Sequence, residues 1–382
     1  MTDSANKWKL SEQEHEAVYA RIASHYLPRS IPSERPVAII TGGQPGSGKS
    51  GLAAMAKHDL RSQGGYVLVD ADKLRPFHKD YFDLLRKDDK TAANLTHPDA
   101  GKWAGRLMVD AVDGRRNLII DQTSKDPEAF QKLSKQLRDQ GYKIEFRAMA
   151  VSDQISQHRI RARYEEQKFV MGFGRFSTKD NHDAAYRGVA ETVGRVEKDK
   201  LVDAVKLYNL NHELVYQNTL TQGHWSKETT GRLVLEGERS RELTSTEKVQ
   251  IVSELKHVQY LIVRSDRHAT NEEVVEISKR LSSFEIGGNV EFRPPGQSKT
   301  DPNHTLGSVI KDAGLMERRP NDLSSNVVGS VIATTSSHAA VQIGRNVGVI
   351  VKLEENQPRP AIGEKFEIGK ALGKTPSKDI ER

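Results

Sequence analysis

The chain contains no cysteine. A disulfide framework, a thiolate metal site and a cysteine nucleophile are thereby excluded, and the composition suits a reducing compartment. Long apolar runs are missing too. Mean hydropathy is -0.64, and no stretch approaches the ~20 apolar residues that a spanning helix needs. The opening residues, Met1 to His15, are polar and lack the basic-then-apolar order of a signal peptide. A cytoplasmic location is expected, with signal-peptide-independent export left open. Aromatic residues make up only 6%, and charge of one sign is scarce in excess: 58 Lys and Arg face 52 Asp and Glu, a net +6. That balance does not by itself imply nucleic-acid binding, and it suits a phosphate-rich substrate equally well.

What is present is an alternating rhythm over much of the 382 residues. Leu10 to Leu27 carries apolar residues at Val18, Ile22 and Tyr26, the spacing of one helical face. Pro28, Pro32 and Pro36 end it and make an extended lead-in, so residues 1–36 form an N-terminal helix and its linker. Short apolar runs follow at Val37–Ile40, Tyr66–Val69, Leu118–Ile120, Ile144–Val151 and Ala204–Tyr208. Helix-like stretches (Gly51–Ser62, Gly101–Val112, Glu128–Gln140) separate them. Buried parallel strands joined by crossover helices give this pattern. The reading is α/β, a doubly wound, mostly parallel sheet over residues 37–217, with a smaller α+β C-terminal region. Residues 218–241 lack a clear period and read as a linker. Residues 242–325 read as a small α+β region, with a helix at Glu247–Val258, a strand at Tyr260–Val263 and a helix at Glu272–Ser282. A Pro/Gly-rich loop, Arg293 to Asn303, leads to β-like runs over residues 326–382.

Gly43-Gln44-Pro45-Gly46-Ser47-Gly48-Lys49-Ser50 satisfies the phosphate-loop pattern of Gly, four residues, then Gly-Lys-Ser. An apolar strand precedes it and a helix opens at Leu52–Ala56, so backbone N–H groups and a helix N-terminus point at a phosphate. Lys49 should reach the β- and γ-phosphates and Ser50 should ligate Mg²⁺. A plain strand-to-helix turn would need neither residue.

Two more apolar runs end in acids: Val69 runs into Asp70-Ala71-Asp72, and Ile120 into Asp121-Gln122-Thr123. Ligands of open parallel sheets sit beyond such strand ends. A kinase needs one carboxylate to take the proton of the attacking hydroxyl and another to order magnesium. Asp72 suits the first task and Asp121 the second, whereas Asp70 reads as a cap. Farther on, His158 to Tyr164 is crowded with arginines, Arg159 and Arg163 lie four apart, and Arg175 follows in Met171-Gly172-Phe173-Gly174-Arg175-Phe176. Guanidinium forks on such a segment can stabilise a transferring phosphate. The bland reading is a solvated basic face. The histidines show no metal-ligand spacing and read mostly as surface residues.

From about Ala38 to Tyr216 the chain resembles the zeta toxins, P-loop kinases of bacterial toxin–antitoxin systems. The matching stretches are the phosphate loop from Gly42 to Ser50, Val69 to Arg75 with His78, Asn117 to Thr123, Met149-Ala150-Val151, Arg163-Tyr164-Glu165, and Gly174-Arg175-Phe176-Ser177 with His182-Asp183. The resemblance implies ATP- or GTP-dependent phosphorylation of the 3′-hydroxyl of UDP-N-acetylglucosamine, with Mg²⁺ and an antitoxin partner. It implies that Lys49 and Ser50 serve the phosphate loop, that Asp72 is the base, and that Arg163 and Arg175 clamp the transferred phosphate. Thr123 and Lys125 fall at sugar-nucleotide contacts. Two departures stand out: Asp121 replaces a Glu, and Gly105 stands at an acidic substrate contact. Relatives acting on other acceptors include a nicotinamide dinucleotide kinase. The last region, Gly329 to Ala333 through Gly344-Arg345-Asn346 to Ile362 and Ile368, resembles the small KfrB-type domain of plasmid-encoded proteins.

The expected activity is therefore that of a phosphotransferase with a nucleotide-sugar acceptor. The alternatives are the same chemistry on a nicotinamide dinucleotide or a polynucleotide end, or a non-catalytic plasmid-maintenance protein that senses nucleotide. No membrane partner is expected. Nucleic acid is not expected on the kinase domain and stays open for the C-terminal region.

Overall fold

The computed structural model describes residues 8–264 and 267–284 and, farther on, 306–307, 310, 315–318, 320, 327–334, 338–343, 347–354, 360 and 364–368. Two compact units divide the chain, one holding Met1–Glu165 with Arg175–Phe292, the other Glu166–Gly174 with Arg293–Arg382.

The first unit opens with helix α1 (Glu12–Tyr26), started by a capping box between Ser11 and Glu14. It buries Tyr19, Ile22 and Tyr26. Strand β1 (Val37–Gly42) leads into α2 (Lys49–Arg61), and β2 (Val67–Val69) into the short α3 (Ala71–Leu74). Helices α4 (Tyr81–Lys87) and α5 (Ala92–Asp113) precede β3 (Leu118–Ile120) and α6 (Pro127–Asp139). Strand β4 (Lys143–Met149) is followed by α7 (Asp153–Met171), α8 (Lys179–Lys198), β5 (Ala204–Tyr208), β6 (Leu214–Thr221), β7 (His224–Trp225), α9 (Gly231–Ser240), α10 (Ser245–Ile262) and α11 (Asn271–Phe284).

The seven strands pair in the order β2-β3-β1-β4-β5-β6-β7. Pairing is parallel from β2 through β5, and β6 adds antiparallel. This is the doubly wound, mostly parallel α/β sheet that the alternating runs predict. Strand β1 lies central because Ala38, Ile39 and Ile40 are buried on both faces. With β3 on one side of β1 and β4 on the other, the crevice beyond the carboxyl ends opens beside β1.

Three segments differ from the pattern reading. Helix α5 begins at Ala92, not Gly101, and carries Pro98 inside; the proline masks its first half. Tyr260–Val263 is no strand but the end of α10, whose buried Ile251, Val252, Leu255, Val258, Leu261 and Ile262 keep a helical spacing. Residues 218–241, aperiodic in sequence, form the end of β6, then β7 and α9. Helix α10 packs Ile251, Val252 and Leu255 into one apolar cluster with Leu52 of α2, Met149 of β4 and Leu210.

In the second unit β8 (Met316–Arg318), β9 (Val327–Thr334), β10 (His338–Ile343), β11 (Val347–Lys352) and β12 (Lys365–Ile368) form a separate sheet, ordered β12-β9-β10-β11-β8. Val331, Ala339, Val341, Val349 and Val351 make its core. The loop Arg293 to Asn303, and Gly344-Arg345-Asn346 and Ile362 of the KfrB-like resemblance, lie outside the described residues.

Candidate active site

The phosphate loop joins β1 to α2 in a conformation that calls for glycine, as Gly46 and Gly48 show. Gly46 has φ 79°, and a Cβ there would sit 1.9 Å from the Ser156 carbonyl oxygen. Gly48, with φ 97°, forms the N-cap of α2 and has its own carbonyl 2.9 Å from His212 Nε2. The Gly43 N–H donates to the Thr123 carbonyl at 3.1 Å, tying the loop to the segment after β3. Lys49 Nζ donates to the carbonyls of Gly43 at 2.7 Å and Gln44 at 3.2 Å. Burial lowers the pKa of this ammonium, while the charge of Asp121 opposes the shift. Ser50 lies exposed in the first turn of α2.

Two of the strand-end acids, Asp121 and Asp72, act on the charge of that lysine. Asp70 caps α3 by accepting from the Asp72 N–H at 2.9 Å, as expected of a cap. Its carboxyl is pushed up to about 7 by burial and by the charges of Asp121 and Asp72. Asp72 meets two guanidinium groups, Arg175 Nη1 at 2.6 Å and Arg75 Nη1 at 2.5 Å. Burial acts to raise this carboxyl, but Arg175, Arg75 and Arg163 together hold it below the usual carboxylate range. Asp121 Oδ1 accepts from Thr41 Oγ1 at 2.8 Å. Ser50 offers a hydroxyl and Asp121 a carboxylate, the oxygen donors that Mg²⁺ prefers.

The arginines of α7 diverge. Arg163 Nη2 lies 3.5 Å from Ser177 Oγ, and its charge is felt by Asp72 and Lys49. Arg159 faces Glu254 of α10 at 3.8 Å, and Arg161 pairs with Glu273 of α11 at 2.8 Å. One arginine of the basic stretch thus turns to the phosphate loop, and two bind the helices that follow.

Two cavities lie beyond the strand ends. One of 470 Å³ lies beyond β2 and β3, lined by Gly105, Met108, Thr123, Lys125 and Phe130 among others. It brings Gly105 of α5 together with Thr123 and Lys125 of the segment after β3. The other, of 370 Å³, lies beyond β4 and β5, against Ser152, Tyr186, Leu210, Arg239 and Arg241.

Sequence reasoning passes over several residues here. Arg75 shares Asp72 with Arg175, and its i, i+3 spacing was the available signal. His212 and Arg239 reach the loop from far along the chain with no local signature. His158 and His182, read as surface residues, are buried at 1% and 0% exposure. His182 instead lies beside Asp153 and Asp183, at 3.6 and 2.9 Å.

Comparison with known proteins bears on the family and the fold. The profile of the family described as zeta toxin matches residues 23–221, more than half of the chain. Toxin PezT of Streptococcus pneumoniae is 26% identical over 224 residues, 55% of this chain and 88% of PezT. Toxin zeta of Enterococcus hirae is 24% identical over 253 residues, covering 66% of this chain and 85% of its own. A solved structure from a study of the PezAT chromosomal toxin–antitoxin system of Streptococcus pneumoniae superposes with a TM-score of 0.58 at 22% identity, over 67% of this chain and 100% of that chain. It shares the fold. With its phosphate loop on a central strand and two strand-end acids alongside, this chain belongs to the zeta toxin family.

Proposed function

We propose that the chain is an ATP- and Mg²⁺-dependent phosphotransferase whose acceptor is a hydroxyl of a nucleotide sugar, UDP-N-acetylglucosamine before others. The observation that carries the reading is the Asp72 carboxylate, held between Arg175 and Arg75 beside the phosphate-loop lysine. A nucleotide sensor needs the lysine but no hydroxyl-directed base with its own arginines.

In this reading the donor lies over the loop with its base toward the cavity beyond β4 and β5, and the acceptor enters the cavity beyond β2 and β3. Lys49 neutralises the β- and γ-phosphates. Ser50 and Asp121 would hold Mg²⁺, which supplies further charge neutralisation on the same oxygens. The acceptor hydroxyl oxygen bonds to the γ-phosphorus, the bond from that phosphorus to the β,γ-bridging oxygen breaks, and ADP leaves. Asp72 takes the hydroxyl proton. Ion-paired as it stands, Asp72 is a weak base. A γ-phosphate that draws Arg175 and Arg163 to itself removes part of that hold and raises the carboxyl toward the range of a working base. Thr123 and Lys125 contact the acceptor.

A second acceptor class has its own support. Gly105 has open space where a side chain would stand, and much of that cavity is apolar, lined by Val69, Ala104, Met108, Ile120, Phe130 and Leu133. Such a wall suits the stacked rings of a dinucleotide. The relatives' names add a biological role: the chain acts as a toxin restrained by an antitoxin protein. Among the described residues no helix is long and apolar enough to cross a membrane. Incubation with γ-labelled ATP and separate UDP-sugars, dinucleotides and oligonucleotides tests the reading. Label should move to UDP-N-acetylglucosamine in wild type, and label on none of the acceptors would refute phosphotransfer to these classes.

A further inference from the structure

Gln44, the second residue of the phosphate loop, has no exposed surface. Its carboxamide is bonded at both ends. Nε2 donates to the Val151 carbonyl at 2.8 Å and to Ser156 Oγ at 3.1 Å, and Oε1 accepts from Arg239 Nη2 at 3.0 Å. The backbone carbonyl of the same residue accepts from Lys49 Nζ at 3.2 Å and from the Ser47 N–H at 3.1 Å. Where Gln44 sits therefore decides where the lysine and one of the loop amides sit.

Arg239 comes from α9, beyond the residues 23–221 that the family profile covers. It is 6% exposed, donates Nη1 to the Tyr186 carbonyl of α8 at 2.7 Å, and stacks its guanidinium 4.0 Å from the centre of the Tyr186 ring. Burial lowers its pKa to about 10, so it stays charged at neutral pH. Among the described residues its buried Nε has no hydrogen-bond partner. Burying a cation this way is costly, and an apolar side chain would fill the space without that cost. What the guanidinium adds is the fork that spans from α8 to the loop.

We propose that Arg239 is a positioning residue of the phosphate loop. Through Gln44 it fixes Lys49, and through the shared bond to Ser156 it keeps the loop in register with α7, the helix that carries Arg163. Segment 222–241 is then part of the catalytic machinery rather than a connector. The inference rests on the nucleotide-binding reading of the loop.

The test uses the full chain and four variants: Arg239→Ala, Arg239→Lys, Lys49→Ala and the double variant of Arg239→Ala with Lys49→Ala. ATP affinity is measured by calorimetry and transfer by single-turnover kinetics, with melting temperature as the fold control. A hydrogen bond from a charged donor corresponds to an affinity loss of about tenfold to a hundredfold. Arg239→Ala should show such a loss, and Arg239→Lys nearly the same, since a lysine cannot reach Tyr186 and Gln44 together. Because the Gln44 carbonyl that Arg239 helps to place also holds Lys49, the double variant should lose less affinity than the two single losses multiplied together. Should Arg239→Ala fail to fold, Arg239→Lys carries the comparison, alone and combined with Lys49→Ala. Wild-type ATP affinity in the folded Arg239 variants overturns the inference, and so do losses that simply add. Failure of the wild type to bind ATP overturns the nucleotide reading and this inference with it.

Discussion

At Asp72 three guanidinium charges compete with burial, and the guanidiniums win. Replacing Asp72 with Asn keeps shape and hydrogen bonding but removes the proton acceptor. Transfer should fall by ~10²–10⁴, the range for loss of a general base, with little change in nucleotide affinity. Arg175→Ala should cost more, ~10³–10⁵, on the scale of an arginine that stabilises transferred charge. Calorimetry beside single-turnover rates separates the two, and an Asp72→Asn enzyme turning over at the wild-type rate would move the base to another carboxylate. Asp70 makes the opposite prediction. Its pKa is raised in the folded chain, so the folded state binds a proton that the unfolded chain has already lost. Stability from this group is full below the ordinary carboxylate pKa and drains away as pH rises to about 7. Asp70→Asn keeps a cap on α3 and should raise the melting temperature at pH 8 by a few degrees, with little gain at pH 4. Equal shifts at both pH values would mean that the charge of Asp70 costs nothing.

Elements built from local pattern were legible in the sequence. Strands β1 to β5 announce themselves as apolar runs, and Gly43 to Ser50 is read from spacing alone because glycines at 46 and 48 answer a local demand for positive φ. The strand order is not local, so nothing in the runs says that β1 lies between β3 and β4. Contacts across long separations were equally hidden: Arg239 lies 195 positions from Gln44, and His212 164 from Gly48. The end of helix α10 is hidden in the same way, because Tyr260–Val263, taken alone, looks like a short buried strand. Its packing has a consequence. Ile251, Val252 and Leu255 share a cluster with Leu52 of the phosphate-loop helix. A chain ended at Arg241 should therefore melt well below one ended after Phe292, and only the longer form should keep ATP-dependent transfer. Thermal melts with a labelled-ATP assay on both chains check this, and equal stability would mean that α10 is dispensable to the first unit.

For the whole molecule, the chain belongs to the zeta toxin family, and the central claim proposed for it is that it moves a phosphoryl group from ATP to a hydroxyl on the β2–β3 side of the loop. If it also acts as a toxin, expression without an antitoxin should slow the growth of a sensitive bacterium, and Lys49→Ala should restore it. Growth curves of the two strains decide that question separately from the chemistry. The direct test of the central claim is label transfer from γ-labelled ATP to UDP-N-acetylglucosamine by purified wild type, Lys49→Ala and Asp72→Asn, with products resolved by chromatography. The account predicts a labelled sugar nucleotide with wild type, none with Lys49→Ala, and a hundredfold or greater loss of rate with Asp72→Asn. Equal labelling by all three proteins would contradict it.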